Sequence, residues 1–127
     1  MLTSAVDPVY SPTFGDLIAP LPAPIQVMTS DLVDLFARHP GVTGQVRLGW
    51  RSVNFRHELA GYFGAVFPNE ERVIVYFEYG RLLSDPDGLL DGGLDLKRGR
   101  FMRLSPDAAL PDEAIMRMLA EAIALRA

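Results

Sequence analysis

The sequence predicts an α+β domain: a two-layer sandwich in which a four-stranded antiparallel sheet carries an N-terminal and a C-terminal helix on one face. Three observations predict it. Eight of the twelve aromatic residues fall between Trp50 and Tyr79, in three short runs separated by turn-like segments. An apolar stripe at helical spacing precedes those runs, and a second one follows them. Helix, strands, helix within 127 residues is the order of a sandwich, not of alternating βαβ units.

Each element follows in order. Residues 1–13 carry Pro and Ser without periodicity and read as an extended arm that either frays or packs through Val9, Tyr10 and Phe14; residues 14–127 then form a single domain. Over 16–39, Ile25, Met28, Leu32 and Leu35 recur at steps of three and four, one stripe of a helix. Pro22 and Pro24 suit its first turn, where a missing N–H costs nothing, and Pro40-Gly41 stops it. Residues 41–48 read as a connection, with or without one helical turn. Trp50–His57, Tyr62–Phe67 and Arg72–Tyr79 read as three strands, the third richest in β-branched and aromatic residues. Short links between them predict an antiparallel meander. Residues 80–97 hold five of the glycines and prolines with Asp85, Asp87, Asp91 and Asp95, a long polar loop. Arg98–Leu104 is the fourth strand. A last helix runs from Asp112 to about Arg126, its acidic first turn and basic last turn matching the helix dipole.

Composition excludes several function classes. A net charge of −4 repels phosphate backbones unless basic residues cluster, so nucleic acid is not the expected partner. The chain has no cysteine, which removes disulfides, thiolate metal sites and thiol nucleophiles. Apolar runs such as Val73–Phe77 are far too short for a membrane span, and the first ten residues lack the basic and apolar regions of a secretion signal. A soluble cytoplasmic protein is the expectation.

The run GWRSVNF, the hairpin into YFGAVFP, and GRFMRL followed by LPDEAIMRMLAEAI resemble the YdhG-like superfamily, small bacterial domains of unknown function. The likeness covers roughly residues 22–126. It departs at Arg51, where the family usually has proline. Some relatives are described as frataxin-like iron chaperones, so the resemblance implies acidic iron ligands on a helix or an exposed edge. This chain offers Asp31 and Asp34 in its first helix, without a wider acidic ridge.

Strand parity gives the candidate site. Val53 and Phe55, then Phe63, Ala65 and Phe67, then Val73, Val75, Phe77 and Tyr79 share the faces that form the core. The opposite face receives Trp50, Asn54, Arg56, Tyr62, Gly64, Ile74, Tyr76 and Glu78. Rings, an amide, a guanidinium and a carboxylate on one sheet face fit a planar small molecule, with Arg56 and Glu78 fixing its polar ends. Cross-strand pairing, including an Arg–Glu pair, accounts for the same inventory, as does burial in a homodimer. The expected ligand-binding residues are Trp50, Asn54, Arg56, Tyr62, Tyr76 and Glu78.

Other constellations carry less. His57, at a strand end, is a general-base or metal-ligand candidate without a spaced partner, and a solvated turn histidine is the simpler reading. His39 fits a helix C-terminus. The aspartates of 85–95 lack the spacing and terminal glutamate of a calcium loop. Lys97, Arg98, Arg100 and Arg103 form a basic patch able to hold a phosphate or carboxylate, with balance of that acidic loop the simpler reading. No nucleophile elbow, zinc-protease helix or phosphate-binding glycine loop is present, so the sequence assigns no catalytic residue, metal or cofactor.

Overall fold

The computed structural model describes residues 10–93 and 96–127. The arm expected over 1–13 falls largely outside them, Val9 included, and Tyr10 already opens a helix, α1 (Tyr10–Ile18). The single helix expected over 16–39 is therefore two, α1 and α2 (Ala23–Ala37). The break has a local cause. Pro20 and Pro22 cannot donate to a preceding turn, and the Ala19 N–H to Gly15 bond closes α1 before them. Pro22 then caps α2 from an extended conformation, φ −58° and ψ 148°.

The sheet has five strands, not four: β1 (Val42–Arg47), β2 (Ser52–His57), β3 (Gly61–Pro68), β4 (Val73–Phe77) and β5 (Arg100–Leu104), ending in helix α3 (Asp112–Ala124). They pair antiparallel in chain order, one open sheet. The unexpected member is β1, which had read as a connection. Its alternation is of period two, Val42 and Gly44 inward, Thr43, Gln45 and Arg47 outward. Gly44 hid it. That glycine sits opposite Phe55, whose ring takes the space a side chain would need, 2.9 Å from where a Cβ would lie.

Parity holds along β2 and β4, where Val53, Phe55, Val73, Val75 and Phe77 are fully buried. It fails along β3. The register pairs Arg56 with Tyr62 but Phe55 with Gly64, so Phe63 is an extra residue in a β-bulge. Beyond it the faces exchange. Gly64 and Val66 lie with the inward residues Phe77 and Val75, whereas Ala65 and Phe67 lie opposite the outward Tyr76 and Ile74. Tyr79, expected in the core, lies past the end of β4, half-buried, with the Arg98 and Arg126 guanidiniums 5.3 and 4.5 Å from its ring centre.

Inward residues from all five strands join Leu32, Val33, Phe36, Ile115 and Leu119 of α2 and α3 in one buried cluster. The long loop after β4 is tied down rather than merely solvated. Glu121 of α3 accepts from the Ser84 N–H at 3.0 Å, and Asp85 accepts from Leu89 and Leu90 at 2.8 and 2.9 Å. Asp91 then exchanges two backbone bonds with Phe101 on the outer side of β5, at 2.8 and 3.1 Å. The outer side of β1 has no strand partner among the described residues. No helix among them is long and apolar enough to cross a membrane.

Candidate functional site

The register orders the outward face into rows running across the sheet. The central row is Gln45, Asn54, Ala65, Tyr76 and Phe101. One neighbouring row runs through Thr43, Arg56 and Tyr62, and the other pairs Phe67, Ile74 and Arg103. Ala65, the small residue at the middle, is fully covered, with Asn54 and Tyr76 directly across from it and Tyr62 and Phe67 on its own strand.

At one end of this face three groups converge. The Tyr76 hydroxyl donates to Glu78 Oε1 at 2.7 Å, and Arg98 Nη2 donates to Glu78 Oε2 at 2.9 Å. Glu78 itself is held beyond the end of β4 by its N–H bond to the Phe63 carbonyl, at 2.9 Å. With a side-chain exposure of 19%, this carboxylate has both oxygens engaged. The cluster suppresses phenol ionisation. Burial, then the Glu78 charge, pushes the Tyr62 hydroxyl up to about 12. Burial, then the hydrogen bond to Glu78, drives Tyr76 upward as well, and Arg98 opposes it. Both hydroxyls are therefore neutral donors throughout the physiological range.

A titration reads this directly. Because the folded value of Tyr62 exceeds the usual 10, the stability it confers is complete below about pH 10 and is lost as pH climbs toward about 12. Phenolate absorbance should show a late transition near pH 12 that Tyr62→Phe removes, along with part of the alkaline sensitivity of unfolding. A Tyr62→Phe profile identical to the parent would contradict the cluster.

The structure brings Asn54, Arg56, Tyr62, Tyr76 and Glu78 onto this side of the sheet, and leaves Trp50 apart. Trp50 is not in β2 but in a short 3-10 turn, Leu48–Trp50, closed by Arg51 at φ 54°, and it is 72% exposed. The Arg56–Glu78 pair is also not formed. β2 and β4 are separated by β3, and Glu78 takes Arg98 instead. The Arg56 guanidinium is exposed and has no hydrogen-bond or ion-pair partner among the described residues. Asn54 accepts from the Ser52 hydroxyl at 2.9 Å through its Oδ1.

The basic cluster after the loop divides its work. Arg103 pairs with Asp91, as a balance to the acidic loop requires, and lies 4.6 Å above the Phe101 ring. Arg100 donates to the Leu96 and Gly99 carbonyls, and Arg98 goes to the site. Sequence reasoning missed Arg98 as a site residue, since nothing but the loop's path connects it with Glu78.

His57 is not a solvated turn histidine. It is 9% exposed, and its Nδ1 accepts from the Leu59 and Ala60 N–H groups at 3.1 and 3.3 Å. Two donors on Nδ1 place the ring proton on Nε2, so the lone pair a general base needs is already engaged. His57 braces the β2–β3 turn. Asp31 and Asp34 share a cleft of about 450 Å³ with Asp112 and Arg38. Among the described residues no group of three His, Asp or Glu is arranged to hold a metal ion. No protein family, curated protein or solved structure matches the chain.

Proposed function

We propose that this chain is a YdhG-like domain of the two-layer kind, with its helices gathered on one side of the sheet, that works in the cytoplasm as a binding module and not as an enzyme. The working surface is the outward sheet face around Asn54, Arg56, Tyr62, Tyr76 and Glu78. The observation that supports it is the cluster of Tyr62, Tyr76, Glu78 and Arg98, a half-buried polar arrangement built on a face that carries rings and a guanidinium, that of Arg56, without a partner among the described residues. Polar groups held in fixed positions beside aromatic surface are what a recognition site needs. The catalytic reading has no comparable support, since His57 is committed to its turn, and the iron reading has no ligand set among the described residues.

Native mass spectrometry of protein purified without denaturation tests the reading. A retained small molecule or a second copy of the chain is expected, released by Tyr62→Ala or Arg56→Ala, with the melting temperature within a few degrees of the parent. A bare monomer, indifferent to those substitutions, would remove the face as a functional surface.

A further inference from the structure

We infer that the occupant of the outward face is a small planar anion, an aromatic carboxylate or an aryl phosphate, held by Arg47 and Arg56 over the ring-lined half of the sheet. The inference rests on the binding role proposed above and adds the charge and shape of what is bound.

The argument is one of uncompensated charge. The chain carries −4 overall. Yet the outward residues of the five strands include Arg47, Arg56 and Arg103 and no carboxylate, and the carboxylates ion-paired at this face among the described residues, Glu78 and Asp91, lie outside the strands. Glu78 is neutralised by Arg98, and Arg103 by Asp91. What is left is Arg47 on β1 and Arg56 on β2, both exposed, neither guanidinium having a hydrogen-bond or ion-pair partner among the described residues. Two free cations on one face of an acidic protein draw a small anion to that face, while the net charge repels a polyanion. Guanidinium groups match carboxylate and phosphate oxygens in a forked geometry.

The other half of the face supplies shape. Tyr62 and Phe67 on β3 and Tyr76 on β4 surround Ala65, the small central residue. The Tyr62 hydroxyl has no hydrogen-bond partner among the described residues, so it remains a donor for a bound oxygen. On the far side the loop rises as a wall: Gly99 lies against the Tyr76 ring and hydroxyl, and Gly92 against Phe101, each so close that a side chain there would collide. Rings at the centre, a wall over β4 and β5, and cations over β1 and β2 define a molecule with a flat apolar body and an anionic end. A second copy laid on the same face would bring like cations together, which opposes it.

The test uses four probes with the full chain, by calorimetry and amide chemical-shift mapping. They are 2-naphthoate, 2-naphthyl phosphate, the neutral 2-naphthalenemethanol, and inorganic phosphate. One or both naphthyl anions should bind, which identifies the carboxylate or phosphate source. The shifts should fall on outward residues of β1 to β4, and affinity should decline with salt. The neutral isostere and inorganic phosphate should each bind about tenfold more weakly or worse, as expected for loss of charge-assisted bonds or of stacking. The exposed double substitution Arg47→Gln with Arg56→Gln should weaken naphthyl anions by a similar factor, with the fold intact. Equal binding of the neutral probe, or no effect of the double substitution, overturns the charge assignment while the face keeps its role. A dimer that excludes every probe overturns the inference in the same way. Shifts nowhere on the face, together with a bare monomer, overturn both readings.

Discussion

Phe36→Ala is expected to remove about 3–5 kcal/mol of stability, the usual cost of emptying a buried aromatic site. Phe36 has no exposed surface and stands where α2 meets the sheet. Its ring centre lies 4.7 Å from that of Phe55, 6.1 Å from Phe63 and 6.2 Å from Phe77, one ring from each of β2, β3 and β4. No neighbour can refill the hole, because those three rings are themselves anchored by strands. Set against a total of about 5–15 kcal/mol for a typical domain, the loss brings the chain near its threshold. Urea unfolding should show a much lower midpoint with an unchanged slope. Val27→Ala, at a site 61% exposed on the same helix, should stay within about 0.5 kcal/mol. Comparable effects at the two positions would mean that α2 does not pack as described.

The second large effect is at Gly64. A Cβ there would lie 2.6 Å from the Tyr76 carbonyl oxygen, an atom of the β3–β4 ladder that cannot swing aside as a side chain would. Gly64→Ala must therefore part the two strands, at a cost of about 1–3 kcal/mol, the range of overpacked cores. The damage should reach the site, because Tyr76 is the residue displaced. The late phenol transition and any binding to the outward face should weaken together. Gly15→Ala gives the opposite sign. Gly15 is in α1 with nothing among the described residues within 4 Å of its Cβ position, so alanine should stabilise by about 0.5–1 kcal/mol. A neutral Gly64→Ala would refute the close approach of β3 and β4.

Much of this arrangement is legible in the residues, and the misreadings have physical causes. The stripe of Ile25, Met28, Leu32 and Leu35 is buried as its spacing implies, and so are the inward residues of β2 and β4. β3 is different. In YFGAVFP both parities are apolar or small, so periodicity cannot choose a face, and the bulge at Phe63 decides it through pairing. β1 is obscured by the glycine that makes room for Phe55. Of the site, Tyr62, Tyr76 and Glu78 follow from parity alone. Arg98 does not, since it lies twenty residues from Glu78 across a loop whose path is set by Glu121, Asp85 and Asp91. His57 misleads for a similar reason: whether a turn histidine is wet or braced depends on backbone N–H groups two and three residues away.

The Asp91 bridge along β5 has a last consequence. A sheet margin with free N–H and C=O groups is a seam to which another chain can be stitched. Here one margin carries the Asp91–Phe101 bridge, and the other, along β1, has no strand partner among the described residues. Stitching two copies through their β1 margins would use up both seams at once. Growth by that route would halt at a closed pair instead of running on into a fibre.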